Sequence, residues 1–354
     1  MFRDDREEVL ARNIAFTTDS NRKGALLHIL AIKGVTGPAV KPLEKWNFPA
    51  DWREYMDACI TRDRGYWEKR KCIHDDMLPT MKPFYGIAIH SSFLGGRVTY
   101  GGNTSFQLPF ITDWSQLEDI TLCEDEPNLR MLLDSMRYLQ ERGKQEGFYA
   151  SLRGGDSPMD IANAIRGNDF FMDMLEEEDA THDMLKLCVQ AAKWTWSHQM
   201  DIIEPVQGGY ISGQAVWLPG YSIGHLSEDA SALSSPALYE EFGRPYTEQL
   251  LEPYDCAIMH VHTKGRHALK SIAAIEKIKF IQLEYDPNEP PPIEVYKQNA
   301  DALRDKIVVP IMTTDEIAEN LDFLAPRKSI IQVYAQSMED AERAVELTRA
   351  IRGL

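Results

Sequence analysis

A chain of 354 residues, 44% of them hydrophobic, can bury a large core, and its length suits one (β/α)8 barrel with extra elements or two smaller domains. Its 38 basic residues against 55 acidic ones leave a net charge of -17, which argues against nucleic acid or an anionic membrane as the main partner. The charged segment from Met1 to Glu8 has no apolar run to serve as a signal peptide, and no stretch approaches bilayer-spanning length. The five cysteines include no CxxC pair, so reduced thiols in a cytoplasm are expected.

In chain order, Asp4 to about Thr18 has helical spacing, and Ala25 to Ile32 reads as a strand. Residues 33 to 50 are a loop, and Asp51 can cap a helix running to about Lys71. Pro83 to His90 reads as a second strand. The glycine-rich stretch that follows, ending near Pro109, reads as a loop over an active-site mouth or a surface excursion. It is no phosphate loop, because no Lys-Ser/Thr follows the glycines. Glu126 to Gly143 predicts a helix and Gly147 to Leu152 a short strand. Asp156 reads as a turn or helix cap before Pro158, and helix continues with breaks to about Met200. Asp201 to Val206 and Gln214 to Leu218 have strand-like composition.

From Pro236 onward helices alternate with strands at Ala257–Val261, Ile278–Leu283, Ile307–Met312 and Ser329–Tyr334. Counted from Cys256, the strand starts lie 22, 29 and 22 residues apart, a βα spacing that predicts a parallel sheet. A closed (β/α)8 barrel with an N-terminal helical extension is the expected fold, and an open doubly wound sheet the alternative. Residues 1–75 would hold the extension and first strand, and residues 76–354 the rest of the barrel.

In such a barrel the chemistry sits at the C-terminal ends of the strands. There the sequence offers His90, the pair His260 and His262, Glu284 with Asp286, and Gln332, Tyr334 and Gln336. Two residues apart on a strand, His260 and His262 face one space. They could share a metal ion with an oxygen from Glu284 or Asp286, or simply hydrogen-bond in a polar mouth. Cys256 shares their parity but lies roughly 13 Å from His260, too far for one ion. Asp229 is open between capping and substrate contact. His198 and His225 have weaker claims, and His267 is expected to face away.

The stretch from Ser227 to Tyr246, SEDASALSSPALYEEFGRPY, resembles the middle signature of the uroporphyrinogen decarboxylase superfamily. Asp156 to Gly167 resembles an earlier block, and the His260 segment the next one downstream. The similarity covers about residues 80 to 350 and implies a (β/α)8 barrel. The substrate-gripping Arg-Gln-Ala-Gly-Arg-Tyr type segment of true decarboxylases has no counterpart around Asn21 to Ala25. The chain is more similar to the corrinoid-dependent methyltransferases. Their thiol-using members bind zinc through His-x-Cys and a later Cys, but here His262 stands at the first Cys position and Gln332 to Gln336 contains no Cys.

The resemblance implies a divalent metal, zinc above all, held by His260, His262 and Glu284, with Asp229 and Tyr334 orienting substrate. It implies a cobalt corrinoid as co-substrate, carried by a separate corrinoid protein, though it names no corrinoid-binding residue. The alternative function is a decarboxylase or lyase acting on a small carboxylic acid. A third is a silent barrel that scaffolds a corrinoid protein.

Overall fold

The computed structural model describes residues 2–352. Its strands are β1 (Gly24–Ile32), β2 (Thr80–Met81), β3 (Val98–Gly101), β4 (Thr104–Gln107), β5 (Tyr149–Ala150), β6 (Gly155–Asp156) and β7 (Gly209–Ile211). There follow β8 (Trp217–Pro219), β9 (Ile223–Ser227), β10 (Ala257–His262), β11 (Ile278–Glu284), β12 (Ile307–Pro310) and β13 (Lys328–Ala335). Seven form one sheet in the order β1-β13-β12-β11-β10-β9-β6, and every pairing in it is parallel. Strands β2 and β5 make a second, parallel pair. Strands β3–β4 and β7–β8 are antiparallel hairpins.

The long strands are apolar on both faces, as parallel strands covered by helices are. In β10, Ala257 through Val261 are all buried. One face packs on the helices in the main core, which takes Leu27 and Ile29 from β1 and Ile331 and Val333 from β13. The other face holds a separate cluster in which Leu26, Ile258, Phe280, Val309 and Ile330 meet Phe16 of the helix Arg6–Thr18 and Val216 and Leu218 of the β7–β8 hairpin. Two residues further along the same strands the second face turns polar: His28, His260, Gln282 and Gln332 follow the apolar residues at the strand period. An apolar floor with a polar layer above it is what positions the site.

Strand β1 is the first strand in this order, at one end of the sheet, and aspartates occupy its free side. Asp76 accepts from the Leu27 N–H at 3.0 Å and Asp75 from the Ile29 N–H at 2.8 Å, while the Asp76 N–H donates to the Leu27 carbonyl at 2.7 Å. Asp75 is fully buried and pairs with Arg70 at 2.6 Å and Arg3 at 2.8 Å.

The expected elements hold in outline, with local differences. Pro83–His90 is not a strand: β2 ends at Met81, and Ala88–His90 is a three-ten turn. Pro83 cannot donate to a ladder, and Gly86 at φ +84° turns the chain away. The glycine-rich stretch forms the β3–β4 hairpin, with Gly102 at φ +58° in its turn. Asp201 and Ile202 end the helix Glu178–Ile202 rather than begin a strand. The helix expected from Pro236 runs to Leu251 and widens to a π turn at Tyr239–Gly243, ahead of Pro245, which has no N–H to continue the regular ladder. Strand β9 was not foreseen, because Gly224 and His225 dilute its five residues.

Candidate metal centre and its cavity

Strand β10 delivers His260 and His262 at its C-terminal end, in register with Gln282 and Glu284 of β11. On the other side, His260 pairs with Ser227, the last residue of β9, and Asp229 follows two residues later. Asp229, His260 and His262 each offer one ligand atom, and these atoms lie within 4.8 Å of one another. The His262 Nε2 to Asp229 Oδ1 distance is 3.8 Å. Atoms bound to one ion at about 2.0–2.2 Å sit about 3.3–3.6 Å apart in a tetrahedral shell. Small side-chain shifts would close the group on a metal.

The hydrogen bonds fix which nitrogens are free. His260 Nδ1 lies 2.5 Å from Gln282 Oε1, which can only accept, so Nδ1 carries the proton. His262 Nδ1 lies 2.9 Å from Asp286 Oδ1 and donates for the same reason. Both rings therefore present an Nε2 lone pair, the arrangement of metal-ligating histidines whose other nitrogen is held by an acceptor. Gln282 is oriented in turn by donating to Gln332 Oε1 at 2.7 Å.

His225 carries the opposite tautomer. Gln214 Nε2 donates to His225 Nδ1 at 2.8 Å and also to Gln282 Oε1, which places the His225 proton on Nε2. The His225 ring stacks on His260 with centroids 4.5 Å apart. Burial pulls both imidazoles below their ordinary range, and each is neutral near pH 7. For His260 this holds although the Asp229 charge opposes it.

These groups line a cavity of about 680 Å³. Asp229 begins the three-ten turn Ala230–Leu233, yet its carboxylate makes no cap bond and stays free. The turn is held from behind: Asp160 accepts from the N–H groups of Asp229 at 2.9 Å and Ala230 at 2.6 Å. His267 Nε2 donates to the Ser231 and Ser234 carbonyls at 3.0 and 2.8 Å, away from the cavity. Burial, then the Asp229 charge, raises Asp160 well above the carboxylate range. Glu228 is fully buried with neither carboxylate oxygen hydrogen-bonded, and burial pushes it up to about 8, so it is protonated at neutral pH. The cavity is lined as well by His90, whose Nδ1 donates to Asp156 at 2.6 Å, and by Lys82 and Arg153.

The fold matches that of a solved methyltransferase from Methanosarcina mazei. The TM-score is 0.62 over 97% of this chain and 98% of that one, at 10% sequence identity. At that identity the likeness is one of fold. No protein-family model matches the chain, and no curated protein matches its sequence. Among the described residues no helix is long and apolar enough to cross a membrane.

Of the residues expected at the site, His260, His262 and Asp229 come together. Glu284 stands beside His262 in register, but it is outside that group, does not line the cavity, and accepts from the Tyr285 N–H at 3.1 Å. Tyr334 is 53% exposed and does not line the cavity either. Asp156 is no helix cap: Ser157 caps the helix Pro158–Arg166, and Asp156 binds His90. Cys256 lies in the apolar floor, its Sγ 3.1 Å from Ser222 Oγ. Gln282 and Asp286 were legible in part, since they share the strand parity of Glu284. His225 had only a weak claim, Asp160 went unmarked within the block from Asp156 to Gly167, and Gln214 gave no signal beyond its residue type.

Gly224, beside His225, sits at φ +149°, and a Cβ there would run into the Ile258 side chain. Gly224→Ala is expected to cost about 1–3 kcal/mol in urea unfolding. It should also move His225 off His260.

Proposed function

We propose that this protein is a methyltransferase of the corrinoid-linked branch of the uroporphyrinogen decarboxylase superfamily. It would move a methyl group between a cobalt corrinoid, carried by a separate corrinoid protein, and a small-molecule donor or acceptor. The observation that carries the reading is the convergence of two Nε2 lone pairs and the free Asp229 carboxylate at the end of β10. The signature at Ser227 to Tyr246 and the fold of the Methanosarcina mazei methyltransferase support it.

We read the sheet as a closed (β/α)8 barrel. Strands β1, β2, β5 running into β6, and β9 to β13 give eight parallel positions. The separate cluster on the second face is the barrel interior, and Asp75 and Asp76 bridge the seam between β1 and β2.

Two imidazoles and a carboxylate suit zinc. When bound, the ion supplies a Lewis acid that activates a thiol or hydroxyl, or polarises the atom from which a methyl group departs. Gln282 and Asp286 hold the His260 and His262 rings so that Nε2 faces the cavity. Asp160 fixes the backbone that presents Asp229. The His225 Nε2–H is a donor to a substrate heteroatom, and its ring stays neutral because it is buried. The exposed side chains of Ile87, Phe106 and Leu233 leave the mouth apolar and open, as a flat macrocycle requires.

Zinc-loaded protein mixed with cob(I)alamin and methoxy, methylamine or methylthiol compounds should generate the methylcobalamin absorbance spectrum. The His260→Ala/His262→Ala variant should be slower by at least about 100-fold, since a Lewis acid supplies several kcal/mol. Full activity of that variant after chelation would refute the metal role. Release of CO2 from an acid without any cobalt change would favour the decarboxylase.

A further inference from the structure

The cavity has a second pole, for which the methyl-transfer reading assigns no role. Lys82 and Arg153 line the wall that also carries His90 and Asp156. Arg153 is 3% exposed, and its guanidinium lies over the Phe84 ring at 5.0 Å. Its Nη2 donates to the Gly86 carbonyl at 3.0 Å, but its Nε is buried with no partner. A buried guanidinium N–H without an acceptor is uncommon, because desolvation makes the omission costly. Lys82 is near enough to feel the Arg153 charge. Both pack against Gly213, where a Cβ would stand 2.9 Å from Lys82 Nζ and 3.0 Å from the Arg153 carbonyl oxygen.

Neither cation has a carboxylate to itself. Asp156 is the one carboxylate whose charge favours Arg153, and it is already engaged by His90 at 2.6 Å. No carboxylate favours Lys82: burial, then the Arg153 charge, pushes it down to about 7, and burial pushes Arg153 down to about 10. Lys82 has no carboxylate and Arg153 shares its one with His90, so this side of the cavity has cationic hydrogen-bond donors to offer an anion from outside. The Lys82 charge also reaches His90, His225 and His260, so the cationic pole and the metal-ligating pole border the same space. Phe84, Ile87, Phe106 and Leu233 supply apolar, exposed walls.

We infer that Lys82 and Arg153 form an anion-holding subsite, and that the substrate is a small organic acid whose carboxylate or sulfonate docks there. Its reacting heteroatom then faces Asp229, His260 and His262. The inference rests on the methyl-transfer reading and narrows its substrate class. The Arg153 Nε–H and the Lys82 ammonium supply charge-assisted hydrogen bonds to the oxyanion. The apolar walls take the body of the molecule. Anchoring the end remote from the reacting atom fixes orientation, which is how such contacts raise rate. The same pair argues against the acid group being expelled as CO2. Cations stabilise the carboxylate charge of the ground state, which decarboxylation removes.

The test uses purified full-length protein freed of metal by chelation, so that no acid can bind by ligating an ion. Benzoate, 4-methoxybenzoate and methanesulfonate are titrated calorimetrically, each against its neutral amide. At least one anion should bind about 10-fold or more tighter than its amide, the worth of a charge-assisted hydrogen bond. Lys82→Met should erase that preference while still taking up zinc with wild-type stoichiometry. Arg153→Met should do the same, with thermal unfolding used to check that it folds. If no anion is preferred over its amide, or if Lys82→Met keeps the preference, the subsite is wrong. Zinc stoichiometry and the cob(I)alamin assay are unaffected by that result, so the two readings fail separately.

Discussion

Replacing His260 and His262 together with alanine is expected to abolish stoichiometric zinc binding, measured by metal analysis of protein equilibrated with zinc and desalted. Two of the three converging ligand atoms would be gone. Removing an acceptor that orients a ligand typically weakens metal by about 10–100-fold. Gln282→Leu and Asp286→Leu should fall in that range, because they free the Nδ1 protons of His260 and His262. The double alanine variant should exceed it. The third ligand is decided by a pair of changes. Asp229→Asn should lose affinity by more than the orienting variants do, and Glu284→Gln should stay within a few-fold of wild type. The reverse ranking would return the third position to Glu284.

The second large effect is on stability. Asp75→Ala is expected to destabilise the fold by about 3–5 kcal/mol, the cost of leaving buried charges without their partner. It strands the guanidinium of Arg70, which is wholly buried like Asp75, together with Arg3 and the Ile29 N–H at the free side of β1. For a chain of this size, an unfolding entropy of about 2.1 cal/mol/K per residue converts that loss to a Tm drop of about 4–7 °C by calorimetry. The pH dependence follows from the direction of the Asp75 shift. Burial by itself would raise the carboxyl, but Arg70, Arg3 and the Ile29 N–H outweigh it and hold it below its ordinary value. A carboxyl lowered by folding contributes stability above its unfolded pKa, and loses it as pH falls through the folded one. The gap between wild type and Asp75→Ala should be widest near neutral pH and shrink below about pH 4. A gap independent of pH would assign the loss to packing instead.

How much of the site the sequence disclosed depends on how each residue reaches it. His260 and His262 were legible because a strand alternates faces every two residues, so their shared direction is a local property. Cys256 shares that direction but was set aside by its distance along the strand, and it lies in the apolar floor beneath them. Asp286 was visible as an oxygen near the pair, though not as the acceptor that fixes the His262 proton. The parallel ladder from β10 to β13 followed from apolar runs at βα spacing. The short strands did not, because two residues such as Thr80–Met81 carry no period to detect.

The sequence by itself determined the alternating βα architecture, the faces of the long strands and the histidine pair that marks the site, since each depends on residues a few positions apart. Only the tertiary structure decided what surrounds that pair. Asp229 reaches it because the chain turns sharply after β9, on backbone N–H groups held by Asp160. His225 stacks on His260 from a strand that its own composition conceals. The tautomers of three imidazoles are set by Gln214, Gln282 and Asp286, and Lys82 and Arg153 face the same cavity from strand and loop ends far away in the chain. Hydrogen bonds and charge balance between such distant segments depend on distances that sequence spacing does not encode, and they give the histidine pair its chemistry.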